Sequence, residues 1–175
     1  MAQRLFFALP VARTSQLALL KLQSQLAQAG IHGRMIPATN FHLTLAFLGS
    51  VTASQKDALL ARLADLTVPD LHLELDTLHY WAKPGIVALG ARRTPIALGQ
   101  LATQLQQDAY QHGLHPTRHA FRPHITLFRG ASALLPDLAH VPEQPIVMTS
   151  HSVELMVSVN GPAGVEYHCL KRWQR

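Results

Sequence analysis

A lone cysteine, Cys169, serves the whole 175-residue chain. That excludes an intramolecular disulfide framework and suits a reducing compartment. Long apolar runs are missing as well, and no stretch approaches the roughly 20 residues that cross a bilayer as a helix. The expected location is therefore the cytoplasm, with no membrane partner. The opening MAQRLFFALPVARTS imitates a short secretory signal, but Pro10 and Arg13 cut its apolar run and no clear cleavage region follows. It reads as a first strand. Charge is scarce too, at 14%, yet 48% of the chain is hydrophobic, which excludes a disordered polymer. No Lys/Arg run is long enough to act as a nucleic-acid tail. A Gly/Ser-rich linker and low-complexity tracts are also missing. The length predicts one domain over residues 1–175, with two lobes; such a chain buries roughly two-thirds of its unfolded surface.

What the chain has in quantity is histidine, 11 of them, and a formal charge of +5. The positive balance favours an anionic partner such as RNA or a nucleotide. No obligate protein partner is implied. Two of the histidines sit in near-identical words. FHLTLAFLG carries His42, and RPHITLFRG carries His124, 82 positions later.

The apolar pattern places these words on strands. Residues 3–9 read as a strand. Thr14 or Ser15 is expected to cap a helix with Leu17, Leu20, Leu22 and Leu26 on its greasy side, stopped by Gly30. A loop over 31–40 holds Arg34 and Pro37, and residues 42–48 form a strand ended by Gly49. Ser54 is expected to cap a helix to about Asp65. Residues 71–81 alternate as one strand and 85–91 as its neighbour, with a hairpin turn at Lys83-Pro84-Gly85. Thr94 is expected to cap a third helix with Pro95 in its first turn, running to about His112 before Gly113. Residues 132–140 read as a short helical or turn segment. Residues 145–159 and 165–173 read as a terminal pair joined at Asn160-Gly161-Pro162. Interleaved strands and helices of this kind predict an α+β or mixed α/β fold with helices packed on sheet.

On a strand, residues i and i+2 share a face. His42 therefore faces with Thr44, and His124 with Thr126, while Leu43, Leu45, Ile125 and Leu127 face the core. If the two strands converge, two imidazoles and two hydroxyls surround one small volume, an inventory suited to a phosphodiester. The hydroxyls donate to phosphate oxygens. One neutral imidazole takes a proton from water and one protonated imidazole gives a proton to the leaving oxygen; an unperturbed value near 6.5 makes both states accessible. No metal or cofactor is needed. One such word alone is common on strands and usually only structural; two with matched aliphatics are harder to dismiss.

These residues resemble the paired motifs of the 2H phosphoesterase superfamily. Within it, the chain is most similar to the RNA 2′,3′-cyclic phosphodiesterases, historically called LigT or 2′-5′ RNA ligases and now ThpR. The likeness spans almost the whole chain, including RLFFAL and RMIPATNFHLTLAFLG. It implies a bilobal 2H phosphoesterase fold, with two pseudo-symmetric lobes of antiparallel sheet, helices outside and a central groove. It implies hydrolysis of a terminal RNA 2′,3′-cyclic phosphate to a 2′-phosphate, with tRNA halves as candidate substrates and reversible 2′-5′ ligation as a related reaction. By resemblance His42 is the proton donor to the departing 3′-oxygen and His124 the proton acceptor from water. Thr44 and Thr126 hold phosphate oxygens, and Arg129 matches a basic residue that often follows the second motif. Arg129 stands five residues beyond His124, the wrong parity for a shared face unless the strand ends or bulges first. Met35 replaces a Trp common in relatives, and Phe128 replaces a small residue; both bear on base stacking.

Other candidates have bland alternatives. His112, His115 and His119 have zinc-like chemistry, but Gly113 and Pro116 interrupt them and no Cys, Asp or Glu lies among them; Arg118 and Arg122 either attract RNA or are solvated. Tyr80 and Trp81 either stack a base or pack a hairpin edge, and Phe7 is either core or a base platform. The terminal KRWQR reads as a solvated end. Two further functions remain: the same chemistry on a 2′-5′ oligonucleotide or ADP-ribose cyclic phosphate, and a non-catalytic RNA-binding module.

Overall fold

The computed structural model describes residues 2–116, 119–133, 138, 141–162 and 164–175. Its first sheet has β1 (Gln3–Pro10) between β3 (His42–Val51) and β9 (Ser152–Gly161), with β10 (Gly164–Gln174) outside β9. The second runs in the order β2 (Arg34–Met35), β7 (His124–Arg129), β6 (Ile86–Gly90), β5 (Thr77–Trp81). β4 (Leu71–Leu75) and β8 (Ile146–Ser150) form a separate pair. Every pairing among the described residues is antiparallel. With helices α1 (Arg13–Gln28), α2 (Ala53–Arg62) and α3 (Ile96–Gln111), this is a two-lobed α+β fold.

Residues from both lobes share one continuous apolar core. The chain crosses between lobes to build it. α1 follows β1 of the first sheet, yet its Gln23 Nε2 donates to Leu127 O in β7 of the second at 2.8 Å, and its Ser15 Oγ to Val147 O in β8 at 2.8 Å. α3 follows β6 of the second sheet and packs on β3. The buried side of α1 is Ser15, Leu19, Leu22, Gln23 and Leu26, one face at helical spacing. Leu17, expected on that side, is 52% exposed; it falls on the far side of the helix from Leu19, Leu22 and Leu26.

The helix starts differ from expectation because side chains found other partners. α1 begins at Arg13 with neither Thr14 nor Ser15 as cap, and Ser15 is spent on its bond to Val147 O. Thr52, not Ser54, caps α2: it closes a capping box in which Gln55 N donates to Thr52 Oγ1 at 3.3 Å and Thr52 N to Gln55 Oε1 at 3.1 Å. α2 also ends at Arg62, before Asp65. Pro95, not Thr94, occupies the cap position of α3.

Two expected single strands are each split between sheets. Residues 71–81 break at Asp76, whose Oδ1 accepts from Thr77 Oγ1 at 2.8 Å and Arg92 N at 2.9 Å. Residues 145–159 break at His151, leaving β8 beside β4 and β9 beside β1. Two further differences lie at strand ends. The strand begun at His42 does not stop at Gly49 but runs to Val51, with Gly49 at φ +73° where Leu48 bulges out of the pairing with β1. The KRWQR end is not solvated throughout: Trp173 is buried and its indole N–H donates to Leu63 O at 2.7 Å, while Arg172 Nε donates to Glu154 Oε1 at 2.7 Å. The Lys83-Pro84-Gly85 turn does join β5 to β6, and β9 pairs with β10 up to Gly161 and Gly164. Most of the expected 132–140 segment, and Arg118, lie outside the described residues.

Candidate active site

Both words lie on strands with the parity their spacing dictates. His42 and Thr44 are half-buried and alternate with buried Leu43 and Leu45. His124 and Thr126 alternate likewise with Ile125 and Leu127. β3 and β7 come from different sheets and run against each other at the junction of the lobes. The surroundings of the two words correspond pairwise. Opposite the threonines stand alanines, Ala8 across from Thr44 and Ala88 across from Thr126. Opposite the histidines stand Pro10 and Gly90.

Each imidazole is held in the same way. His42 Nδ1 lies 2.7 Å from Asn40 O, and His124 Nδ1 lies 2.7 Å from Arg122 O. A carbonyl only accepts, so Nδ1 carries the hydrogen in both rings. Nε2 is then the atom left to take or give a proton. An aromatic edge braces each ring as well: Tyr167 against His42 at 5.0 Å and 79°, Trp81 against His124 at 4.8 Å and 67°. Trp81 is in turn stacked on His79 at 5.5 Å and 6°. Gly90 makes room for that stack, since a Cβ there would stand 2.6 Å from the His79 ring.

Burial is the largest cause depressing both imidazoles. It brings His42 down from 6.5 to about 4, against the opposing Asn40 carbonyl, and the charges of His124 and Arg129 push it the same way. His124 is lowered by burial, then by His79 and Arg129, with the Arg122 carbonyl opposing. The field of Arg129 therefore bears on both rings, and that of His124 on His42.

Arg129 reaches the site through a bulge. Between the pairs Ala88–Thr126 and Val87–Phe128, Leu127 has no opposite residue. Alternation shifts by one, and Arg129 returns to the face of His124 and Thr126. The first word does the same: Leu45 is skipped between Ala8–Thr44 and Phe7–Ala46. The fifth residue beyond each histidine, Phe47 and Arg129, thus lines one cavity of about 490 Å³ together with His42 and Thr126. Thr44 and His124 are not among the residues lining it.

Both bulges have their skipped carbonyl held by a glutamine from a crossing helix. Gln23 Nε2 of α1, 1% exposed, donates to Leu127 O at 2.8 Å and Ile36 O at 2.9 Å. Gln106 Nε2 of α3 donates to Leu45 O at 3.3 Å. Leu127 O also accepts from Ile36 N at 2.9 Å, so Gln23 is its second donor; a buried carbonyl has two lone pairs to satisfy.

Other sequence candidates sort clearly. Phe7 is core, packed 5.9 Å from Trp173; its neighbour Phe6 is the groove residue, 4.9 Å from His42. Phe128 is buried, while Met35 is exposed in the cavity wall. The Tyr80 hydroxyl donates to Ala131 O and Ser132 O, which ties down the chain after β7. His112 ends α3 with Nδ1 2.7 Å from Asp108 O. Among the described residues, no three His, Cys, Asp or Glu side chains form a group fit to hold a metal ion. Phe6, Phe47 and Tyr167 were not expected at the site. Only the matching offset of Phe47 and Arg129 from their histidines hinted at one of them in the sequence.

Residues 9–88 match the family model described as LigT like Phosphoesterase. The chain is 39% identical over 132 residues to an RNA 2′,3′-cyclic phosphodiesterase of Escherichia coli, covering 74% of this chain and 73% of that protein. It is 26% identical over 114 residues to the protein of the same name from Aeropyrum pernix, covering 63% and 65%. The crystal structure of E. coli LigT complexed with 3′-AMP superposes with a TM-score of 0.87 at 32% identity, over 99% of this chain and 98% of that one. A likeness of this extent, in sequence and in fold, places the chain in the LigT-like phosphoesterase family.

Proposed function

We propose that the chain opens the terminal 2′,3′-cyclic phosphodiester of RNA to a 2′-phosphomonoester, and that residues 1–175 act as one bilobal unit in the cytoplasm. The observation that carries this is the matched pair of imidazoles, each anchored at Nδ1 and free at Nε2. Neutral His124 takes a proton from water as the oxygen attacks phosphorus. The P–O3′ bond breaks and His42 gives its proton to the departing 3′-oxygen. Thr44, Thr126 and Arg129 hold the non-bridging oxygens, whose charge grows in the transition state. A 5′-hydroxyl in place of water would give a 2′-5′ linkage by the same proton transfers.

The depressed value of His42 sets a condition on its role as donor. In the empty groove it is neutral at pH 7. A phosphate anion beside it favours the protonated ring and restores the acid on binding. Substrate binding and loading of the acid are thus one event.

A short RNA ending in 2′,3′-cyclic phosphate, incubated with EDTA, tests the reading. The expected product is the 2′-phosphate. His42→Ala and His124→Ala should each lower the rate at least about a hundredfold while circular dichroism stays unchanged. Full activity in both variants would refute the assigned roles, and loss on adding EDTA would favour a metal-dependent reaction.

A further inference from the structure

Arg34 and Arg129 face each other directly across β2 and β7. Cross-strand neighbours point to the same side with Cβ atoms about 5 Å apart, and like charges so placed repel. Among the described residues neither has a carboxylate partner, whereas Arg62, Arg92, Arg172 and Arg175 all do. Arg4 on β1 is placed alike: its cross-strand partners are Ser50 and Ser158, not acids. Arg4, Arg34 and Arg129 line the same cavity, and among the described residues no Asp or Glu lines it. Arg34 and Arg129, opposed across the strands, repel each other. An anion bound beside them would relieve that repulsion, and Arg4 lines the same space.

The cavity is also longer than one phosphate requires. Phe6 touches His42, and Arg4 lies two residues further along the same face of β1, about 7 Å on. At about 490 Å³ the space is of nucleotide size. Scissile-phosphate contacts end at Arg129, so Arg34 and Arg4 are left for a second anion.

We infer that Arg34 and Arg4 form a second phosphate subsite, which takes the phosphodiester on the 5′ side of the terminal cyclic nucleotide. The site thereby reads an RNA end of at least two nucleotides rather than a free cyclic mononucleotide. This rests on the cyclic phosphodiesterase reading above. The occupant's chemistry, a phosphate one nucleoside away from the reacting one, is shared by a small dinucleotide such as ADP-ribose cyclic phosphate, and the test separates the two.

The experiment compares kcat/KM for a 2′,3′-cyclic mononucleotide, a dinucleotide with the same end, and ADP-ribose cyclic phosphate, in wild type, Arg34→Ala and Arg4→Ala. The expected result is a dinucleotide-to-mononucleotide ratio that falls about tenfold in either variant, since a charge-assisted phosphate contact is lost. The slope of log(kcat/KM) against log salt for the dinucleotide should shrink by about 0.7, the share of one single-strand phosphate contact. Ligand-free Arg34→Ala should melt no lower than wild type, because its cross-strand repulsion with Arg129 has been removed. Equal losses on mononucleotide and dinucleotide would overturn the subsite, as would no loss on either. A ratio that falls only for ADP-ribose cyclic phosphate would overturn the RNA assignment. Wild type inert on all three substrates would instead sink the functional reading itself.

Discussion

Gln23 touches neither substrate nor histidine, yet replacing it should cost activity. Its amide donates at 2.8 Å to Leu127 O, the carbonyl of the bulged residue, and at 2.9 Å to Ile36 O. In Gln23→Leu, Leu127 O keeps a donor, because Ile36 N still reaches it at 2.9 Å. The carbonyl of buried Ile36 loses its glutamine donor. An orphaned buried acceptor costs about 1–3 kcal/mol. For a chain of this length, 2 kcal/mol corresponds to a drop of about 4–8 °C in melting temperature. The functional consequence is separate. Without the brace the bulge relaxes, and the shifted alternation that aims Arg129 at the groove is no longer enforced. The assay is a double-mutant cycle on kcat/KM with Arg129→Ala. Gln23→Leu should cost about fivefold less in the Arg129→Ala background than in wild type, a coupling on the order of 1 kcal/mol. Strict additivity would refute the argument, and so would a melting-temperature drop with activity intact.

Two further outcomes follow from the depressed imidazoles. The kcat/KM profile of the free enzyme should be bell-shaped with its maximum on the acid side of 6.5, because His42 sits at about 4 and His124 is lowered. The kcat profile should move to higher pH as bound phosphate favours the protonated rings; a kcat/KM maximum above pH 7 would contradict this. Stability should also respond to acid. Above pH 6.5 His42 is neutral folded and unfolded and contributes no pH dependence. Between 6.5 and about 4 the unfolded chain takes up a proton that the folded chain refuses, so stability falls with pH by at most about 1.4 kcal/mol per unit from this group. Urea melts across that window should be flatter in His42→Gln, and an unchanged slope would show that burial of this ring does not govern it.

The chain's own letters determined what is local. The i, i+2 rule placed His42 with Thr44 and His124 with Thr126, because side-chain alternation is a property of any single strand. The helices, the hairpin at Gly85 and the α+β class were legible for the same reason. The limits of that reasoning show at particular residues. Residues 71–81 alternate without interruption, yet Asp76 ends one pairing and Thr77 begins another, since alternation does not say which strand lies alongside. Phe6 and Phe7 are indistinguishable as letters, and only the partner faces sent one to the groove and the other to the core. Arg129 has the wrong parity on paper. A bulge corrects it, and a side-chain donor to the bulged residue's carbonyl comes from Gln23, 104 residues away. Convergence of the two words, the loss of proton affinity at His42 and the facing of Arg34 with Arg129 all depend on which strands become neighbours. Those are non-local contacts, fixed when the core closes and burial sets the local dielectric, and no window of sequence carries them.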